Sequence, residues 1–171
     1  MLIDGHTHIV SEESPWAQYI SAPTEELLRQ MDAADIEKAV VLPIEPWISV
    51  SSVAKACRAH PDRLIGFASI HFTPENLCTG DLGDILERQV NDFGFRGLKL
   101  YPRMQISLRS PQIYTLFSKA RVIWGSDFPD PNSTIKDNLE QWKGICEELG
   151  LSKEDFDLIF GGTISKILRL S

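Results

Sequence analysis

Short segments made almost entirely of apolar residues recur along this chain, separated by segments with the periodicity of amphipathic helices. Residues 39–42 (AVVL) and 64–70 (LIGFASI) are the clearest of these segments, and residues 95–101 are predicted to be a further, more polar strand. A strand without alternating polar residues is buried on both faces, as in parallel sheets. Helices are expected at residues 24–34, 50–60, 81–93, 111–120 and 135–149, followed by two shorter ones. Strands separated by helices predict βαβ units and a parallel α/β fold.

Composition narrows the class of protein. With 171 residues and 43% hydrophobic content, the chain is long enough for one domain with a real core. Its net charge of -7 argues against nucleic acid or an anionic membrane as a partner. Cys57, Cys78 and Cys146 lack C-x-x-C spacing, which favours a reducing cytoplasm over a disulfide framework. Without a basic leader or a membrane-length apolar run, we expect a cytoplasmic protein.

The first apolar segment runs directly into Asp4-Gly5-His6-Thr7-His8. Residues i and i+2 of a strand share a face, so His6 and His8 are expected to point the same way, together with Asp4. Two neutral imidazoles so placed can bind one divalent metal ion. A pair of surface histidines near a terminus remains the alternative for so short a motif.

A second apolar segment at residues 122–129 (VIWGSDFP) is predicted to be a strand that ends in a carboxylate and a turn. Two strands that both end in ligand-type residues suggest one shared site. The alternative for Asp127 is a helix N-cap for the residues that follow.

Four stretches together carry a resemblance to a known family: DGHTH at residues 4–8, HPDRLIGFASI at 60–70, GFRGLKLYP at 94–102 and VIWGSDFP at 122–129. With them the chain resembles the amidohydrolase-related family, a branch of metal-dependent barrel hydrolases that includes aromatic acid decarboxylases and lactone hydrolases. The resemblance implies a TIM barrel, which typically takes about 250 residues. This chain shows about five strands, so we expect an incomplete barrel of parallel strands with flanking helices.

The junction around Ala120 and Arg121 is where the family's barrel is interrupted. A helical pattern passes there directly into a strand, although such connections usually take about 2 to 6 residues. Relative to the family, the units of strands five to seven are missing at this junction. A metal-binding histidine and a catalytic histidine of the family go with them. We treat residues 1–171 as a single domain and leave open whether the deletion is natural.

The resemblance also assigns roles to residues. It implies that His6, His8 and Asp127 bind the metal ion and that Asp127 accepts a proton from the attacking water. Asp4 is expected to orient a histidine, and Lys99 to point into the barrel and pair with an aspartate rather than bridge two metals. Further candidates for the substrate pocket are His71, Tyr101, Arg103 and Trp16.

The function that follows from this resemblance is hydrolysis or decarboxylation of a small carboxylate, lactone or amide by metal-activated water. Zinc is the expected ion, with manganese as the alternative. A non-catalytic remnant that serves as an oligomeric or partner-binding module is the competing hypothesis. Because five strands cannot close an eight-stranded barrel, exposed strand edges predict a homo-oligomer.

Overall fold

The computed structural model describes residues 1–69, 82–99, 124–148 and 151–170. Its strands are β1 (Ile3–Thr7), β2 (Lys38–Val41), β3 (Leu64–Gly66), β4 (Ala68–Ser69) and β5 (Leu98–Lys99). Its helices are α1 (Thr24–Ala33), α2 (Val50–Ala59), α3 (Leu82–Phe93), α4 (Ile135–Glu148), α5 (Lys153–Asp157) and α6 (Thr163–Leu168). A 3-10 turn lies at Pro15–Gln18. The helix expected at residues 111–120 lies outside the described residues.

The strands form two parallel sheets, in the order expected for part of a barrel. Strand β2 lies between β1 and β3, and β4 pairs with β5, in each case in parallel. On the other side of β1, Thr7 makes a parallel bridge to Phe128. The last described apolar segment thus lies beside the first strand, as the final strand of a closed barrel does. The predicted α/β fold with an incomplete barrel is confirmed.

The third expected strand is divided in the structure. Residues 64–69 pair first with β2 and then with β5, and the change of partner falls at Phe67. The ring of Phe95 lies where a side chain at Gly66 would be, and the ring of Phe67 occupies the same place at Gly97. The fourth expected strand is shorter than predicted within the described residues, because pairing begins only at Leu98.

The prediction of a strand at residues 122–129 is wrong for the part that the structure describes, residues 124–129. From Trp124 onward the segment has no regular strand, and Phe128 makes an isolated bridge to β1. The reason is the backbone of Asp127, whose φ of 57° lies in the left-handed region and breaks the extended conformation. The segment still follows β1, since Gly5 N–H donates to the Trp124 carbonyl at 3.0 Å.

Both faces of the sheet are buried, as its apolar strands predict. One face packs against α1 and α2, where Leu27, Met31 and Val53 are fully buried beside Val41. The opposite face packs against α6. That second cluster contains Ile3, Val40, Leu42, Ile65, Ile164 and Leu168.

Local signals in the sequence match the helix ends. Asp35 follows α1 with a φ of 54°, and Gly94 ends α3 with a φ of 69°. Ser152 and Asp155 form a capping box at the start of α5. Within the described ranges, no helix has the length and apolar character needed to cross a membrane.

Candidate metal centre

The end of β1 and the segment that follows Trp124 bring three side chains together. The Nε2 atoms of His6 and His8 are 3.1 Å apart. Asp127 Oδ1 lies 3.0 Å from the first of these nitrogens and 3.4 Å from the second. Residues far apart in the chain thus converge where the sequence places a candidate metal site.

His8 is held in one orientation by the neighbouring strand. Its Nδ1 lies 2.7 Å from the Leu42 carbonyl oxygen, which accepts a hydrogen bond only if Nδ1 carries the proton. Burial lowers the pKa of His8, so the neutral ring is favoured. The lone pair of Nε2 is therefore directed at His6 and Asp127, and a carbonyl on the far nitrogen is a common partner of metal-binding histidines.

Asp127 reaches the histidines because its backbone turns. Its N–H donates to the His6 carbonyl at 2.8 Å, and the left-handed φ that follows directs the carboxylate back over β1. The hydrogen bond with His6, the largest cause, holds the pKa of this carboxyl well below its usual range. The side chain is 73% exposed, so one side of the carboxylate is open to solvent and to the cavity described below.

The donor set fits a divalent cation. Zinc–nitrogen and zinc–oxygen bonds of about 2.0 to 2.2 Å with tetrahedral angles place neighbouring ligand atoms roughly 3.3 to 3.5 Å apart. The observed separations of 3.0 to 3.4 Å are close to these values. Three electron-pair donors this close also require a shared positive charge, from a proton or a metal ion. Across the described part of the chain, these are the histidine, cysteine and acidic side chains that meet in such a group.

Asp4, two residues before His6 in β1, is fully buried. Its Oδ1 accepts hydrogen bonds from the main-chain N–H groups of His6, at 3.1 Å, and Ser126, at 2.9 Å. The role expected for Asp4, orienting a histidine, stays a prediction, because its bond to His6 is to the backbone and not to the imidazole. Burial raises the pKa of this carboxyl to about 6.

Lys99, at the end of β5, approaches the same group. Its Nζ lies 3.3 Å from His6 Nε2. Burial lowers the pKa of Lys99, and the negative charge of Asp127 acts in the opposite sense. The lysine therefore lies beside the three donors, and its predicted pairing with an aspartate stays a prediction.

A cavity of about 260 Å³ opens onto these donors. Trp16 forms one wall and stacks on Trp47, with ring centroids 6.1 Å apart. The described residues that line the cavity are His6, His8, Trp16, Ile20, Ile44, Lys99, Asp127 and Pro129. The predicted pocket residues His71, Tyr101 and Arg103 lie outside the described residues.

Gly125 is a site residue that the sequence reasoning missed. A Cβ at this position would lie 2.5 Å from His6 Cβ and 2.7 Å from His6 N. Only glycine lets the two backbones approach so closely. A glycine two residues before the candidate carboxylate was the available signal, because a turn residue next to a ligand often marks a close approach.

Comparison with known proteins shows the family. A family model described as amidohydrolase matches residues 3–115, which is more than half of the chain. No curated protein matches significantly.

Solved structures show the same fold. A probable 2-pyrone-4,6-dicarboxylic acid hydrolase from Acinetobacter baumannii, with citric acid bound, is 15% identical, with 99% of each chain covered and a TM-score of 0.62. A 4-oxalomesaconate hydratase from Rhodopseudomonas palustris is 13% identical, with 99% of this chain and 96% of that chain covered and a TM-score of 0.62. A 5-carboxyvanillate decarboxylase from Sphingomonas paucimobilis is 10% identical, with 99% of each chain covered and a TM-score of 0.53. Together with the family match, the architecture leads to one conclusion: this protein belongs to the amidohydrolase family.

Proposed function

We propose that this protein is a metal-dependent hydrolase or decarboxylase that acts on a small carboxylate, lactone or amide. The observation that carries the proposal is the convergence of His6 Nε2, His8 Nε2 and Asp127 Oδ1 within 3.4 Å of one another. Family membership supports the reaction class. The three solved structures named above include a hydrolase and a decarboxylase, which is why both reactions are retained.

We propose that His6, His8 and Asp127 hold a divalent ion, zinc or manganese. Such an ion, when bound, lowers the pKa of a water molecule towards about 7 and polarises a substrate carbonyl. The protein's own residues supply the ligand atoms and the proton acceptor. His8, locked by the Leu42 carbonyl, keeps a fixed neutral nitrogen in the site. Asp127, which lines the cavity and is largely exposed to solvent, would accept a proton from water.

The cavity walls favour a small anionic substrate. Lys99 contributes a cation within 3.3 Å of His6 and can pair with a carboxylate group. Trp16 offers a flat apolar surface that Trp47 supports from behind. We therefore place the carboxylate of the substrate beside Lys99 and its apolar body against Trp16.

A non-catalytic remnant is the second candidate. It is favoured by the sequence junction at Ala120 and Arg121, where the resemblance implies that two histidines used by the family are lost. Losing one general acid or base typically removes a factor of about 10² to 10⁴ in rate. Our proposal therefore includes only weak turnover by this chain. We further propose that it forms a homo-oligomer, because the strand edges of an incomplete barrel favour association.

The test combines metal content with turnover. The purified chain is reconstituted with zinc or manganese, its metal content is measured after removal of free ion, and hydrolysis of activated esters and lactones is followed. We expect about one ion per chain and weak activity, both lost in the double variant His6→Ala/His8→Ala. In Asp127→Asn we expect activity to be lost or sharply reduced and metal binding to be weaker but retained.

Matched controls distinguish the site from general effects. His60→Ala changes a histidine that ends α2, and Asp62→Asn changes an exposed aspartate near the start of β3. Neither residue lines the site cavity. Stoichiometric metal without any turnover would support the remnant hypothesis, and no metal after reconstitution would refute the proposed function.

A further inference from the structure

Strand β1 is irregular where it passes His6. Asp4 pairs with Ala39 of β2 and Thr7 with Val41, so β1 contains one more residue than β2 between these pairs. An extra residue of this kind makes a bulge, which changes the direction of a side chain and removes main-chain groups from the regular ladder. The bulge includes His6, the first residue of the metal-binding group.

The other side of β1 is irregular as well. Gly5 N–H donates to the Trp124 carbonyl at 3.0 Å, and Asp127 N–H donates to the His6 carbonyl at 2.8 Å. The N–H of Ser126, between these two bonds, donates instead to the side chain of Asp4 at 2.9 Å. A side-chain oxygen thus replaces a main-chain acceptor one residue before Asp127.

The same oxygen accepts a hydrogen bond at each of these two irregular places. Asp4 Oδ1 also accepts the N–H of His6 at 3.1 Å, and the side chain is fully buried, so solvent does not compete for these bonds. One atom therefore joins two segments that are 122 residues apart and that carry opposite sides of the site.

We propose that Asp4 is a positioning residue that clamps the β1 bulge to the segment carrying Asp127 and so sets the separation between His6 and Asp127. Its effect on metal affinity rests on the proposed function, whereas the clamp itself does not. The competing explanation is that Asp4 only stabilises the fold by pairing two buried N–H groups.

The experiment compares three variants. Asp4→Ala removes the acceptor. Asp4→Asn retains a carbonyl oxygen of the same shape, and its amide nitrogen replaces Oδ2, which has no hydrogen-bond partner among the described residues. Thr7→Ala is the matched control, because Thr7 is equally buried in the same strand and its Oγ1 donates to the Val40 carbonyl at 2.9 Å, on the side of β2.

Two readouts are made on each variant. The first is affinity for Co²⁺, followed by its visible absorption. We expect Asp4→Ala to weaken binding by about 10- to 100-fold, the usual effect of removing a group that supports metal ligands. We expect Thr7→Ala and Asp4→Asn to bind within about threefold of the original chain, because both keep the oxygen that accepts the two N–H groups. If Asp4→Ala and Thr7→Ala lose similar thermal stability but only Asp4→Ala loses Co²⁺ affinity, the loss of affinity reflects positioning and not a general loss of stability.

The second readout is hydrogen exchange in the metal-free protein. The amides of His6 and Ser126 should exchange faster in Asp4→Ala and remain protected in Asp4→Asn and Thr7→Ala. If the original chain binds no Co²⁺, the proposed function fails, and exchange still decides whether the clamp exists. Protected amides in Asp4→Ala would overturn the clamp. So would equal loss of affinity in Thr7→Ala, unchanged affinity in Asp4→Ala, or loss of protection or affinity in a folded Asp4→Asn. If Asp4→Ala does not fold, the Asp4→Asn result alone carries the test.

Discussion

Replacing Gly125 with alanine should disturb the site more than its size suggests. The new Cβ would lie 2.5 Å from His6 Cβ, 2.7 Å from His6 N and 3.1 Å from His6 Cα. Non-bonded carbon atoms prefer about 3.5 to 4.0 Å, so the segment carrying Asp127 must retreat from β1 by roughly 1 Å. Overpacking of this kind typically costs about 1 to 3 kcal/mol in the free energy of unfolding.

The same displacement should weaken metal binding. Metal–ligand distances tolerate only about 0.2 Å of variation, so a shift of roughly 1 Å takes Asp127 Oδ1 out of reach. We expect Gly125→Ala to lower the free energy of unfolding by about 1 to 3 kcal/mol in urea denaturation of the metal-free chain. In Co²⁺ titration we expect at least a roughly tenfold loss of affinity, by analogy with other disturbed ligand geometries.

Gly144 supplies the control. It lies within α4, and a Cβ there would meet no atom within 4 Å. Gly144→Ala should therefore stabilise the chain by about 0.5 to 1 kcal/mol through helix propensity, without a change in metal affinity. Gly125→Ala with original stability and original Co²⁺ affinity would refute the close packing of the two backbones on which the site depends.

Three further predictions concern stability, assembly and the interrupted barrel. Ser152→Ala removes the hydroxyl that accepts the Asp155 N–H in the capping box at α5 and should lower the free energy of unfolding by about 1 kcal/mol in urea denaturation; an unchanged midpoint would show that this cap contributes nothing. Light scattering of the purified chain should detect a dimer or larger assembly, and a monodisperse monomer with a sharp unfolding transition would contradict it. Insertion of a family-typical segment between Ala120 and Arg121 should raise metal affinity and turnover together, and a rise in neither would argue against a missing segment.

Much of the fold could be predicted because burial on both faces leaves a clear trace in the sequence. The apolar run at residues 39–42 corresponds to β2, whose last three residues are all buried. Helix ends were equally readable, because a capping serine, an acidic first turn or a left-handed Asp35 satisfies specific backbone requirements. These signals are local, so they survive in a chain whose barrel is incomplete.

The sequence failed where long-range contacts override local preference. Residues 124–128 read as a strand, yet the left-handed φ of Asp127 interrupts it, and neighbouring apolar residues do not reveal that angle. The division of the third strand at Phe67 follows from a change of pairing partner, which also has no local signal. In the candidate site, His6, His8 and Asp127 were predicted from motif and resemblance, and the structure brings them together. The role of the Asp4 oxygen depends on a contact across 122 residues and was not readable, whereas Gly125 left only the signal of a glycine near the carboxylate.

Anomalous diffraction from a crystal of this chain soaked in zinc would show directly whether the three side chains bind a metal ion. We expect one strong peak about 2.0 to 2.2 Å from His6 Nε2, His8 Nε2 and Asp127 Oδ1, the usual zinc–ligand distances. Its absence in crystals of His6→Ala/His8→Ala would show that the two imidazoles are required. A crystal of the original chain with no peak at these three atoms, or with zinc bound only elsewhere, would contradict the metal site and the function proposed from it.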